Sequence, residues 1–229
     1  GGPCQPAEAA VRPRRRAQSW TDELMIRRKS RFTAQAVKHC IISGISSANA
    51  HYESMSGEWI DERGVESFMS GYVAQRIKEN LIIDPSWVLF EVSFKEFFEL
   101  YCSRFVGNQG IFAESRSRFD LVALDEDEQA FGVVELKRSR WSSAWDRDVQ
   151  RVKAFSRRSA GQADVNFGAF AAFVSESEGE RNILEAFDSI RNCFAESDTD
   201  VEIIFERSKF RDHAGKLRRF GIVGAVVVN

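Results

Sequence analysis

RFDLVALDEDEQAFGVVELKR, residues 118–138, is the stretch on which the fold turns. Two apolar runs flank the polar tetrad Glu126-Asp127-Glu128-Gln129, the pattern of two strands joined by a turn. Both runs are interrupted by charge, at Asp120 in the first and at Glu135 and Lys137 in the second. A carboxylate inside an apolar strand is costly unless it is paired or binds a cation. Side chains alternate between the faces of a strand, so Glu135 and Lys137 share one face while Val134 and Leu136 enter the opposite layer.

A turn centred between Asp127 and Glu128 places Asp120 directly across from Glu135, with Cβ atoms roughly 5 Å apart. Two carboxylates that close repel unless a divalent cation lies between them. The same register sets Arg118 opposite Lys137, a like-charge pair that calls for nearby anions. Together these pairs describe a metal and phosphate site. Mg²⁺, with Mn²⁺ as a substitute, suits such oxygen ligands. Asp120, Glu135 and the main-chain carbonyl of Leu136 are the candidate ligands. A metal there lowers the pKa of a bound water and polarises a phosphodiester. Lys137 orients or deprotonates that water, or neutralises charge developing on phosphoryl oxygens. The three histidines, at 39, 51 and 213, lie far away in sequence. Arg116, Arg118, Arg138 and Arg140 flank the motif as candidate phosphate contacts. The competing reading is a surface hairpin with a Glu–Lys pair on a wet face.

Outward from the hairpin, the period is helical on both sides. Upstream, Val65, Phe68, Met69, Tyr72 and Ile77 predict a helix over Asp61–Asn80. An earlier helix is expected from Thr21 to Ile42, after a capping-box-like Ser19 and Asp22, with Gly44–His51 as a loop. Asp84-Pro85 breaks the chain, and Ser93 precedes a short helix over FKEFFELYC. Residues 110–125 carry two strand-like runs, and AFGVVELKR is a third. Downstream, Trp145, Val149, Val152 and Phe155 form one face of a helix and Arg147, Arg151 and Arg158 another. Asp148 and Arg151 are expected to pair on its surface. Phe167–Val174 is apolar throughout, as in a strand covered on both faces. An amphipathic helix over Arg181–Phe194 and strands over Val201–Arg207 and Gly221–Val228 follow. The expected class is α/β (α+β): a mixed central sheet flanked by helices, with extra N-terminal helices.

The chain's 229 residues, 43% hydrophobic, suffice for one sizeable core. Residues 1–18, which hold all the prolines but Pro85, are expected to be a flexible basic arm. Residues 19–229 are expected to form a single domain, with N-terminal helices over 19–57 and a core over about 60–229. No stretch approaches a membrane span, and no apolar signal segment is visible. Cys4, Cys40, Cys102 and Cys193 are widely spaced, as reduced, mostly buried thiols of a cytoplasmic protein would be. Net charge is −2, but residues 1–31 carry eight Arg/Lys against three Asp/Glu, residues 137–158 eight against two, and residues 207–219 six against one. Such clusters attract phosphates if the fold unites them, and otherwise are solvated faces. Walker, GxSxG, HExxH and dinucleotide-glycine motifs are absent.

The spacing of Asp120, Glu135 and Lys137, on a hairpin with a helix before and a helix after, resembles the PD-(D/E)xK (restriction-endonuclease-like) nuclease superfamily. The resemblance covers about residues 60–175. Phe119 stands where that group often has proline. By the resemblance, Asp120 and Glu135 hold Mg²⁺ and Lys137 serves the attacking water. The preceding helix supplies another acid, for which Glu66 is the candidate, with Glu58 and Glu62 behind it. The following helix supplies a polar residue, for which Gln150 is the candidate, with Lys153 on the same face. The implied activity is metal-dependent hydrolysis of nucleic acid, DNA rather than RNA, in restriction, defence or repair. Homodimerisation is compatible with it. The alternatives are a non-catalytic nucleic-acid- or protein-binding module on the same fold, or an effector nuclease completed by an activating ligand or partner.

Overall fold

The computed structural model describes residues 33–60, 64–81, 87–101, 117–125, 128–138, 143–156, 167–175, 181–194, 200–211, 215 and 217–228. Their elements run α1 (Ala34–Ser56), α2 (Glu66–Asn80), β1 (Trp87–Ser93), α3 (Phe94–Glu96) with a π turn over Phe97–Tyr101, β2 (Arg118–Leu124), β3 (Ala130–Arg138), α4 (Ser143–Ser156), β4 (Phe167–Ser175), α5 (Arg181–Phe194), β5 (Asp200–Arg211) and β6 (Leu217–Val228). Among the described residues, six strands form one mixed sheet in the order β1-β2-β3-β4-β6-β5. Of its strand pairs β3–β4 is the parallel one, and α4 is the crossover that such a pair requires.

Alternation along the strands sorts the core into layers. Leu121, Ala123, Val134, Leu136, Ala169, Ala171 and Phe173 pack against α1 and α2 on one face. On the other face, Phe170, Ala172, Val174, Val223 and Ala225 pack against Trp145, Val149 and Val152 of α4 and Ile183 and Ile190 of α5. A third cluster joins Phe94, Phe97, Phe119 and Phe155 near β1. Burying each such ring stabilises the fold by about 1.5–3 kcal/mol. β4 is buried at all nine positions, as its continuous apolar run requires.

α1 departs from the expectation most. Thr33 caps it, its Oγ1 accepting from Ala36 N at 3.1 Å, and Gly57 ends it at φ 73°. Gly44–His51, expected as a loop, is helical throughout. Its small residues mark an interface: a Cβ on Gly44 would lie 2.7 Å from Val73 Cα of α2. Close helix packing, not local propensity, selects the helix here. The expected start at Thr21 lies outside the described residues. α2 starts at Glu66 rather than Asp61, because Val65 is extended and serves as N-cap. Asp61–Arg63 lie outside the described residues.

β1 was not expected as a strand. It lies at the edge of the sheet, and its exposed Trp87 and Phe90 blur the alternation that marks half-buried strands. The strand-like run before Ser117 lies outside the described residues, and opposite β3 the other neighbour of β2 is β1. Ser93 caps the short α3 as expected, its Oγ accepting from Glu96 N at 3.2 Å. Among the described residues no helix is long and apolar enough to cross a membrane.

Candidate active site

The hairpin register fixes the centre. β2 and β3 pair Leu121 with Val134, Val122 with Val133 and Ala123 with Gly132, as a turn between Asp127 and Glu128 requires; a bulge then sets Leu124 against Ala130. Continued one step, this register brings Asp120 across from Glu135. Asp120 Oδ2 accepts from the Leu136 N–H at 2.6 Å, so its side chain is tied to β3 directly beside Glu135.

Lys137 is the hub. Its Nζ lies 3.5 Å from Asp148, 3.6 Å from Glu135, 3.7 Å from Asp120 and 4.0 Å from Glu66. Glu66 arrives on the first turn of α2, and its Oε1 also accepts from Arg138 N at 3.3 Å. Asp148 comes from α4 together with Arg151, to which it is hydrogen-bonded. Arg151 Nη2 lies 3.5 Å from Glu135 Oε1, and its guanidinium stacks 5.0 Å from the Phe94 ring centre. Four carboxylates thus face two cations, leaving a formal −2. The cluster opens at Glu66, whose side chain is 37% exposed, and closes at Glu135, 1% exposed.

Burial dominates the electrostatics. It pushes the Glu135 pKa well above the ordinary range, and the neighbouring Asp120 pushes it further, against Lys137 and Arg151. Burial likewise raises Asp120, partly offset by Lys137 and the Leu136 N–H. For Lys137 burial acts downward, but Asp120, Glu135, Asp148 and Glu66 outweigh it and raise the pKa. Lys137 is therefore held as an ammonium. It can donate hydrogen bonds and neutralise an anion. It cannot accept a proton while its carboxylates are charged.

Several expectations change. On its other side Arg118 is level with Ser93 of β1, and its exposed guanidinium binds Glu91 at 3.1 Å, not an anion at the cluster. Gln150 is exposed, about 200° around the helix from Asp148. Asp148 and Arg151 take the place expected for it, and their pair is buried rather than on the surface. Lys153 turns to α5, donating to the Cys193 carbonyl at 2.6 Å. Glu58 lies in the turn after α1, where its N–H donates to Ser56 Oγ. Glu62, Arg116 and Arg140 lie outside the described residues. Asp148 had a sequence signal: on a helical wheel it falls between Val152 and Phe155, inside the apolar stripe of α4.

By type, the carboxylate oxygens are donors that a hard divalent cation takes. Glu135 Oε1 is buried without a hydrogen bond, and the four carboxylates outnumber the two cations. Among the described residues, however, no three His, Cys, Asp or Glu side chains are grouped closely enough to hold a metal ion. The carboxylates converge on the Lys137 ammonium. Comparisons of the chain with known protein families, with curated proteins and with solved structures found no match.

Proposed function

We propose that this chain is a metal-dependent nuclease of the PD-(D/E)xK type, hydrolysing phosphodiester bonds of DNA. The observation that carries the reading is the meeting of Asp120, Glu135, Glu66 and Lys137 at one point, on a hairpin between two helices. That helix–hairpin–helix order and the mixed sheet agree with a restriction-endonuclease-like fold.

In this reading Asp120 and Glu135, with the Leu136 carbonyl and Glu66, hold Mg²⁺ or Mn²⁺. The ion supplies Lewis-acid polarisation of the phosphodiester and a more acidic water. Lys137 binds the phosphoryl oxygens as an ammonium and offsets the charge that grows on them. Asp148 and Arg151 position Lys137 and Glu135 through their ion pairs. In the hydrolysis a water oxygen bonds to phosphorus while one P–O ester bond breaks. The water loses a proton to solvent, and the departing sugar oxygen gains one.

A second reading, an effector idle until a ligand or partner completes it, draws on the same cluster: four carboxylates hold Lys137 in a resting ion-pair network. Incubation of supercoiled, linear and single-stranded DNA, and of RNA, with Mg²⁺ or Mn²⁺ tests the proposal. Cutting is expected for the wild type, and none for Asp120→Ala or Lys137→Ala. A folded wild type that cuts nothing would favour the idle effector or the binding module.

A further inference from the structure

One ammonium cannot both sit among carboxylates and hold a phosphate. Lys137 Nζ has Asp148 Oδ2 at 3.5 Å, Glu135 Oε2 at 3.6 Å, Asp120 Oδ2 at 3.7 Å and Glu66 Oε2 at 4.0 Å. These acids come from α4, β3, β2 and α2, so the ammonium lies where four elements converge. Among the described residues the acids are not grouped closely enough with one another to hold a metal ion. They surround a cation that the chain itself supplies.

The four contacts are loose. A charge-assisted hydrogen bond from an ammonium to a carboxylate is about 2.7–2.9 Å long. Every separation here exceeds that, so the summed field of the acids holds Lys137 rather than any one tight bond. Arg151, the other cation of the cluster, is fastened differently. It is hydrogen-bonded to Asp148 and lies 5.0 Å from the centre of the Phe94 ring. Its side chain is 9% exposed, against 19% for Lys137. Of the other charges nearby, Arg118 is engaged by Glu91 at 3.1 Å, and Glu91 adds its negative charge to the field at Asp120.

Glu66 marks the open side of the cluster and Glu135 its floor. Lys137 reaches both, so an ion arriving from solvent meets the ammonium before it meets Glu135. On the floor Glu135 Oε1 is buried with no hydrogen bond, although Arg151 Nη2 stands 3.5 Å away. Mg²⁺ takes one or two carboxylates at about 2.0–2.1 Å and keeps several waters, so it needs room beside these oxygens as well as their charge. The Lys137 ammonium fills that room. Two cations drawn to the same oxygens repel strongly at such range, where a protein interior screens poorly.

We propose that Lys137 is an exchangeable plug: a divalent cation enters the carboxylate cluster by displacing the Lys137 ammonium toward the open side at Glu66, while Arg151 stays in place. The exchange rests on the nuclease reading for its ion and supplies what that reading lacks, because the displaced ammonium becomes available to a phosphate only once the ion is bound. No covalent bond changes. Two measurements test it, both without nucleic acid. Mn²⁺ binding is followed by electron paramagnetic resonance in chelator-stripped wild type and Lys137→Met, a variant of similar length without the charge. Lys137→Met is expected to bind Mn²⁺ at least about tenfold more tightly. In the wild type, acylation of lysines is followed residue by residue by mass spectrometry, with and without saturating Mg²⁺. Lys137 is expected to react several-fold faster with the ion, while the exposed Lys95 reacts alike in both and serves as reference. Unchanged or weaker Mn²⁺ binding in folded Lys137→Met would overturn the proposal. So would a Lys137 that reacts no faster with Mg²⁺, whether because it stays beside a bound ion or because no ion binds; this holds even where the variant does not fold. Mg²⁺-dependent cutting of DNA by such a protein would sink the exchange and keep the nuclease. Exchange in a wild type that cuts no nucleic acid would uphold the plug and sink the nuclease reading.

Discussion

Glu135 is buried to 1% exposure with one carboxylate oxygen lacking a hydrogen bond, and its pKa is raised by burial first and Asp120 second. A carboxyl whose folded pKa exceeds its unfolded value binds its proton more tightly when folded. Its contribution to stability is present below the unfolded value and is lost as pH rises through the folded one. In chelator, Glu135→Gln should therefore match the wild type near pH 4. It should exceed it by a margin that grows with pH, reaching roughly 1–2 kcal/mol. Denaturant unfolding at several pH values measures this, and a variant less stable at neutral pH would mean that Lys137 and Arg151 already satisfy the carboxylate. Arg151→Ala should act oppositely, leaving buried Asp148 and Glu135 with Lys137 as their remaining cation, at a cost of about 3 kcal/mol. Equal midpoints for Arg151→Ala and wild type would deny the pair that role. Asp120, Glu135 and Lys137 were legible in the sequence because charge inside an apolar strand is conspicuous. Asp148 and Arg151 were not, because an i,i+3 acid–base pair is ordinary on a helix surface, and only the position of Asp148 within the apolar stripe distinguishes it.

The elements hold these residues by close contacts. α4 lies so near β4 that a Cβ on Gly168 would fall 2.7 Å from the Val152 carbonyl oxygen, a backbone atom that can yield only if the helix shifts. Gly168→Ala should cost about 1–3 kcal/mol. By moving Asp148 and Arg151 it should also weaken any Mg²⁺-dependent activity. Thermal melting and cleavage together check this, and an unchanged melting temperature would mean that α4 adjusts freely. The sequence disclosed the hairpin, α4, β4 and α5, whose periods are strong and whose faces are buried. It hid β1, an edge strand with exposed Trp87 and Phe90, and it suggested a loop where Gly44 and its small neighbours in fact let α1 press against α2. In both places the deciding contact is with another element, which local pattern does not carry.

Across the whole molecule, charge is divided by position rather than by total. A net charge of −2 conceals a carboxylate cluster at the C-terminal ends of β3 and β4 and a run of basic residues, Arg207, Lys209, Arg218 and Arg219, where β5 and β6 extend past β4. The layered α/β class followed from the order of periods, while the union of α2, the hairpin and α4 at Lys137 needed the tertiary structure. If the cluster holds a divalent ion, Mg²⁺ at 100 times its dissociation constant should stabilise the fold by about 2.7 kcal/mol, and Asp120→Ala should abolish that gain. Calorimetry with and without chelator decides it; identical traces would place no ion in the folded cluster. The most direct test of the central claim is cleavage of supercoiled DNA with Mg²⁺ by wild type, Asp120→Ala and Lys137→Ala, prepared identically. Cutting by the wild type that is lost in both variants and in chelator is the expected result. Cutting that survives both substitutions would contradict it, because the reaction would then belong to another site or to a contaminant.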